Sequence, residues 1–267
     1  AYFGTTPSRS VGITYGSVVN PDLTWEKTLS YDVGVDVNFL NHWNLSFDYW
    51  YSRTYDILGA RSKSVPTSFS LSLPDENYGE IHAQGVDFQL GYQGKSKDFT
   101  YHGNFTLSYG WNKVIQKDYS ENAQWIDIPE GKSTSYITGY VFDKIIRTQD
   151  ELDAFNAEHP DYLHNGLSPE LGMMVYKDIS GPNDTPDGII DSWDRVMLRS
   201  NNNPVVYGLN LGGSWKGLSV DMMFSGKLGE WKSISNLAGG VEWNRMWNKW
   251  YYDSWPPENP NATLPKR

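Results

Sequence analysis

The chain of 267 residues contains no cysteine. It therefore has no disulfide framework, no thiolate metal site and no cysteine nucleophile. Positive charge is scarce: 22 lysines and arginines stand against 32 acidic residues, a net charge of −10. Nucleic-acid binding needs a basic face that releases counterions, so this balance argues against it. Long apolar runs are lacking as well. The longest spans Met173 to Tyr176, too short for a transmembrane helix or a signal-peptide core. A barrel strand escapes that test, because only every second residue need be apolar. Catalytic signatures are also absent. His42, His82, His102, His159 and His164 are scattered, and no HExxH, GxSxG or phosphate loop occurs. Carboxylates are too widespread to single out a glycosidase pair. An enzyme is not expected.

Aromatic residues are abundant. Twelve Trp, 18 Tyr and 10 Phe make up 15% of the chain, with 25 Gly and 14 Pro alongside. Rings with one wet edge suit membrane-interface belts and sugar-binding surfaces.

The aromatics fall into a period of two. From Trp25 to Phe39 the odd positions are mostly apolar or aromatic, while Glu26, Thr28, Ser30, Asp32, Asp36 and Asn38 fill the even ones. The pattern restarts after Leu40-Asn41-His42 with Trp43, Leu45, Phe47, Tyr49 and Tyr51, and Trp50 is the one aromatic on the polar phase. A second hairpin combines Val86, Phe88, Leu90 and Tyr92 with Phe99, Tyr101, Phe105, Leu107, Tyr109 and Trp111, across a turn at 93–97. A third runs from Val205 through Trp215, turns at Lys216-Gly217 and continues through Leu218, Val220, Met222 and Phe224. A phase slip near Gly85 predicts a bulge there. These runs far exceed the five or six residues of an ordinary strand.

Turns within the hairpins are short, whereas the connections between them, about 59–80 and about 116–204, and the segment 229–267, are long. That asymmetry belongs to an outer-membrane barrel with short periplasmic turns and long extracellular loops. A strand tilted near 45° climbs roughly 2.4 Å per residue, so about ten to eleven residues cross the 25 Å apolar band. Trp43 and Tyr51 or Tyr55, like Phe99 and Tyr109 or Trp111, are spaced to mark the two aromatic girdles. Lys27, Arg53 and Lys113 on the outward face all fall at or beyond the upper girdle. The competing architecture is a soluble antiparallel sandwich with one wet face, which also alternates. Six strands do not close a transporter barrel, so the chain is expected to be a fragment of a longer protein.

Five stretches resemble the SusC/RagA-type TonB-dependent outer-membrane transporters, in that family's order. They are Asn20-Pro21-Asp22-Leu23-Thr24-Trp25-Glu26-Lys27-Thr28 with Asp32-Val33-Gly34-Val35-Asp36; Gly79-Glu80-Ile81 with Gln84-Gly85-Val86-Asp87-Phe88; and Thr138-Gly139-Tyr140-Val141-Phe142-Asp143 with Gln149-Asp150-Glu151-Leu152. The fourth is Tyr176-Lys177-Asp178-Ile179, Asp187-Gly188-Ile189-Ile190-Asp191 and Asp194-Arg195, leading into Tyr207-Gly208-Leu209-Asn210-Leu211. The fifth is Tyr252-Asp253-Ser254-Trp255 with Pro257-Glu258-Asn259-Pro260-Asn261-Ala262. The resemblance implies an all-β fold: an antiparallel transmembrane barrel, roughly 22-stranded and plugged, with a short helix in its long extracellular loops. Residues 1–267 would be a C-terminal-side part of that one barrel domain, without its plug and TonB-contacting segment. It further implies a cell outer membrane of the Gram-negative, Bacteroidota type, with lipid and lipopolysaccharide around the wall. A SusD-like surface lipoprotein and TonB would be partners, and oligosaccharides or oligopeptides the cargo. The alternatives are a soluble calcium-dependent carbohydrate-binding β module and a passive porin.

Three candidate sites follow. Asp178, Asp187, Ile189 (through its carbonyl), Asp191 and Asp194 are similar to a calcium loop of about twelve residues, in which carboxylates and one carbonyl wrap a hard cation. Residues 182–186 read as an insertion in that pattern, and Asp184 could replace Asp187; the bland alternative is an acidic, solvated turn. No cofactor other than this calcium is implied. Trp243, Trp247, Trp250 and Trp255 crowd the final segment and would meet substrate or partner, or pack the loop against its neighbours. Thr148-Gln149-Asp150-Glu151 ahead of Leu152 and Phe155 is a capping box on a short helix ending before Pro160. Lumen-facing Glu26, Asp32, Asp36, Asp48, Asp87 and Asp221 would give an acidic inner lining, which disfavours a strongly anionic cargo.

Overall fold

A computed structural model describes residues 2–3, 8–9, 20–60, 73–164, 166–232, 252–259 and 261–266. In chain order the strands are β1 (Tyr2–Phe3), β2 (Ser8–Arg9), β3 (Lys27–Phe39), β4 (Trp43–Ala60), β5 (Asp75–Ser96), β6 (Phe99–Gln116), β7 (Ile137–Gly139) and β8 (Phe142–Ile145). Helix α1 (Gln149–Glu158) follows, then β9 (Leu163–His164), β10 (Met174–Tyr176), β11 (Ile189–Ile190), β12 (Val196–Arg199), β13 (Val205–Trp215) and β14 (Leu218–Leu228). The chain divides into two compact units: residues 1–134 with 206–226, and residues 135–205 with 227–267.

The first unit is built on one six-stranded antiparallel sheet of order β14-β13-β6-β5-β4-β3. Its three short turns take left-handed backbone at Leu40 and Asn41, at Lys97, and at Lys216 with Gly217. Paired positive-φ residues match the twist of two-residue hairpins. The second turn is tighter than its composition predicts: β5 runs on to Ser96, leaving only Lys97 and Asp98 between strands. At the other end β4 and β5 reach Ala60 and Asp75, so the connection at 59–80 is narrower than expected. With 22 residues, β5 exceeds by far the ten or eleven that a 25 Å band requires. Its surplus length is held by polar groups. Arg53 makes a fork to Glu80 at 2.7 and 2.9 Å, Lys27 Nζ lies 2.7 Å from Asp56, and Asn77 Nδ2 donates to the Thr24 and Asp56 carbonyls.

Register places Val35, Phe47, Phe88, Leu107 and Tyr207 in one row across five strands. Val35 and Phe47 are exposed, at 55% and 43% of their surface. A sandwich would bury this row; a barrel turns it to hydrocarbon. Gly85 does not carry a bulge. It pairs regularly with Trp50 and Gly110, and the irregularities lie instead between Glu80 and Ile81 and around Asp56, whose φ is +56°.

The second unit contains three two-stranded pairings: β10 with β8, β12 with β7, and parallel β11 with β9. Ile146, Phe155, Tyr162, Val175 and Ile190 form its core. Thr148 caps α1, accepting from the Glu151 N–H while the Glu151 carboxylate accepts from the Thr148 N–H. Phe155 is the buried anchor of the helix, as the spacing predicts.

Candidate functional site

Alternation gives the sheet two chemically different faces. On the outward face Phe39, Trp43, Tyr92, Tyr101 and Phe99 form a chain of ring contacts 4.6–6.1 Å apart near the short turns. Near the other end Tyr31 stacks on Tyr51, Tyr51 meets His82, and Tyr109 stacks on Trp111. Just beyond them Arg53 and Lys27 lie over the Tyr55 ring at 5.0 and 5.8 Å. Two aromatic belts enclosing an uncharged band are the signature of a wall that meets lipid.

The opposite face is polar. Thr28 bonds Thr54, and Ser30 bonds Ser52 across the β3–β4 ladder. Asp48 and Asp87 are direct cross-strand partners. Like charges placed opposite repel, and neighbouring donors offset this. Trp50 Nε1 donates to Asp87 Oδ2 at 3.1 Å, Ser108 donates to Asp87 Oδ1, and Ser46 donates to Asp48 at 3.4 Å. A recess of about 250 Å³ is lined by Ser46, Asp48, Asp87, Gln89, Thr106 and Ser108. Further along, His102 Nε2 lies 3.0 Å from Asp221 Oδ1, the pair reaching over Gly212 on the intervening strand. A Cβ at Gly212 would collide with both side chains, so glycine is what permits this three-strand bridge. Sequence reading placed Asp48, Asp87 and Asp221 on this face but showed neither the Asp48–Asp87 pairing nor the Asp221–His102 bridge. The available signal was Trp50, alone among the aromatics on the polar phase.

In the second unit the aspartate-rich turn is organised by Asp194, which is fully buried. Its Oδ1 accepts from the N–H groups of Ile179 (2.7 Å) and Ser180 (3.2 Å), and its Oδ2 from that of Asp191 (2.9 Å). Asp191 accepts from Trp193, Asp187 from Ile189, and Asp178 Oδ2 from Gly188 at 2.5 Å. Gly188 has φ +84°. Asp184 is exposed in a separate turn. Among the carboxylate oxygens of this turn, Asp178 Oδ1 is buried without a hydrogen-bond partner. Burial pushes the Asp178 carboxyl above its ordinary pKa, with the nearby Asp194 adding to the effect against the Gly188 N–H. The carboxylates thus accept mainly from backbone donors, while those of Asp178 and Asp194 also approach one another. Among the described residues no three acidic or histidine side chains are grouped to hold a metal ion.

Trp255 is buried and packs on Gly172, whose φ is +80°. Trp243, Trp247 and Trp250 lie outside the described residues.

A model of the family described as TonB dependent receptor-like, beta-barrel matches residues 1–143, more than half of the chain. The chain belongs to that family. Among curated relatives, this TonB-dependent receptor barrel is 26% identical to TonB-dependent receptor P26 of Formosa agariphila, over 97% of the chain and 26% of the relative. It is 25% identical to TonB-dependent receptor SusC of Bacteroides thetaiotaomicron, over 80% of the chain and 21% of the relative. The solved RagAB peptide transporter superposes with a TM-score of 0.64 at 18% identity, covering 96% of this chain and 27% of that one. The open-open state of the RagAB peptide importer gives 0.63 at 19% identity, covering 94% and 26%. The chain thus spans about a quarter of the length of these proteins.

Proposed function

We propose that this chain forms part of the wall and the outer loops of an outer-membrane nutrient importer. It would take up oligosaccharides or oligopeptides together with a SusD-like surface lipoprotein, drawing energy through TonB. One observation carries the reading: a girdled apolar face and a hydrogen-bonded acidic face share the same six strands. The long connections leave only one end of the sheet. Relatives named as TonB-dependent receptors and structural neighbours named as a peptide importer support it.

The chain's role in that importer is non-catalytic. The described histidines have structural partners: His82 meets Glu80 at 2.7 Å, His102 meets Asp221, and the rings of His42, His159 and His164 pack on Tyr92, Phe155 and Tyr176. The lumen acids would favour neutral or cationic cargo over strongly anionic cargo.

The test uses the full-length protein with its neighbouring lipoprotein, restored to a strain that lacks both. Uptake of a panel of glycans and peptides should appear and should vanish when TonB is removed. Uptake that persists without TonB would mean a passive porin. A protein extractable without detergent would mean a soluble module.

A further inference from the structure

The outward face is not evenly covered beside its lower aromatic belt. β6 presents Gly103 there and β13 presents Gly213, each in phase with the belt residues. Gly103 pairs with Leu211, and Gly213 pairs with Tyr101. Two outward positions without side chains, next to large rings, leave a slot. Its volume is about 610 Å³. Gly103 and Gly213 form the floor; Tyr92 and Leu211 flank Gly103 in its own cross-strand row, Tyr101 lies beside Gly213, Trp215 stands one row nearer the turn, and Val220 and Met222 line it from β14. The lining is almost wholly apolar.

The slot ends at a cationic rim. Lys216, in the β13–β14 turn, holds its Nζ 5.3 Å from the Trp215 ring. Its one described ion pair, to Asp98, is a long and exposed 3.9 Å. Lys97 stands beside Asp98 in the neighbouring β5–β6 turn. Hydrocarbon-shaped space leading into ammonium groups at belt depth is complementary to a molecule with an acyl tail and a phosphate head. We propose that this slot binds one phospholipid of the periplasmic leaflet, with an acyl chain over Gly103 and Gly213 and its phosphate at Lys216. The apolar groove supplies affinity by removing methylenes and ring faces from looser contact. The lysine supplies a partner for the lipid phosphate. Trp215 and Tyr101, amphipathic rings at the boundary, fit the depth where glycerol and head group meet. Lipopolysaccharide occupies the other leaflet, at the end of the long connections.

Native mass spectrometry of the full-length protein in mild detergent, titrated with dipalmitoyl phosphatidylethanolamine, tests this. The wild type should retain one phospholipid after surrounding lipid has been stripped. Gly103→Leu should fill the slot once the Leu211 side chain shifts, since a Cβ there meets Leu211 Cδ2 at 3.2 Å and the Asn210 carbonyl at 3.9 Å. Its retention should fall severalfold, because the acyl chain loses its packing surface over Gly103. Lys216→Glu should weaken retention and Lys216→Arg should preserve it. Val33→Leu, on the same face but away from the slot, should change nothing. Heat-shifted gel mobility certifies folding; if Gly103→Leu fails that check, Val220→Trp fills the slot from its other wall and decides. Equal retention by wild type and the filled variant would overturn the proposal. So would preference for lipopolysaccharide, or retention indifferent to the charge at position 216.

Discussion

Trp50 lies over Gly85 and donates its indole N–H to Asp87 Oδ2, two strand positions further along β5. The ring is within 3.2 Å of where a Cβ at Gly110 would sit as well, so it covers two glycines on adjacent strands. A large aromatic on the wet face of a barrel is thereby given both a floor and a polar partner. The same contact moderates the Asp48–Asp87 juxtaposition by placing a donor on one of the two carboxylates.

Gly85→Val should therefore expel the indole, because its Cβ would come within 2.5–2.8 Å of three Trp50 ring atoms. The expected loss is about 1–3 kcal/mol, the usual cost of overpacking. Urea unfolding of the full-length protein in detergent measures it. Gly85→Val combined with Trp50→Ala should recover most of the loss, and an unchanged double variant would contradict the contact.

The row through Val35, Phe47 and Leu107 crosses the middle of the apolar band. Phe47→Arg should cost about 2–4 kcal/mol on folding into liposomes. Ser46→Arg, one residue away on the wet face, should cost well under half of that. Equal penalties at both positions would refute the assignment of faces.

Asp194 satisfies three backbone N–H groups while fully buried. Asp194→Ala leaves all three donors without their acceptor, at about 1–3 kcal/mol for each that stays buried. Limited proteolysis should then cut near residues 178–196 at least tenfold faster, while the heat-shifted mobility of the barrel is unaltered.

Asp178 provides a pH dependence of known sign. Its folded pKa is raised, mainly by burial, so the protonated carboxyl is the form the fold favours. The stabilisation is fully present below the unfolded pKa of about 3.9 and is lost as pH rises through the folded value. Protection of the 178–196 turn from an acid-tolerant protease should fall as pH is raised from about 4 to about 7. Asp178→Asn should flatten that profile. Calcium bound at this turn would act oppositely, protecting it at neutral pH and releasing it to chelator; the hydrogen-bonded frame predicts no response to either.

Much of this architecture was legible in the order of the residues. A period of two needs no tertiary information, because successive side chains of a strand point to opposite faces. Hence the long strands, the two belts, the short turns at Leu40-Asn41 and Lys216-Gly217, and the outward phase of Val35, Phe47 and Leu107 all follow from spacing. The capping box at Thr148 and Glu151 was equally local, since both partners lie within one helical turn. Relations between strands were not legible. A glycine reads the same whether it bends a strand or admits a neighbour's ring. The phase slip at Gly85 predicts a bulge for that reason, although Trp50, 35 positions away, is what sits on it.

The sequence by itself determined which side chains share a face, because alternation is a property of one extended backbone. Tertiary structure decided which of them touch. The bridge of His102 to Asp221 over Gly212 depends on cross-strand register, which hydrogen-bonded pairing sets over long stretches of chain. So does the slot over Gly103 and Gly213. In the aspartate-rich turn, composition supplied the oxygens, but the folded backbone directed them to its own N–H groups. A carboxylate serves whichever donor the chain brings within about 3 Å, and only the fold chooses that donor.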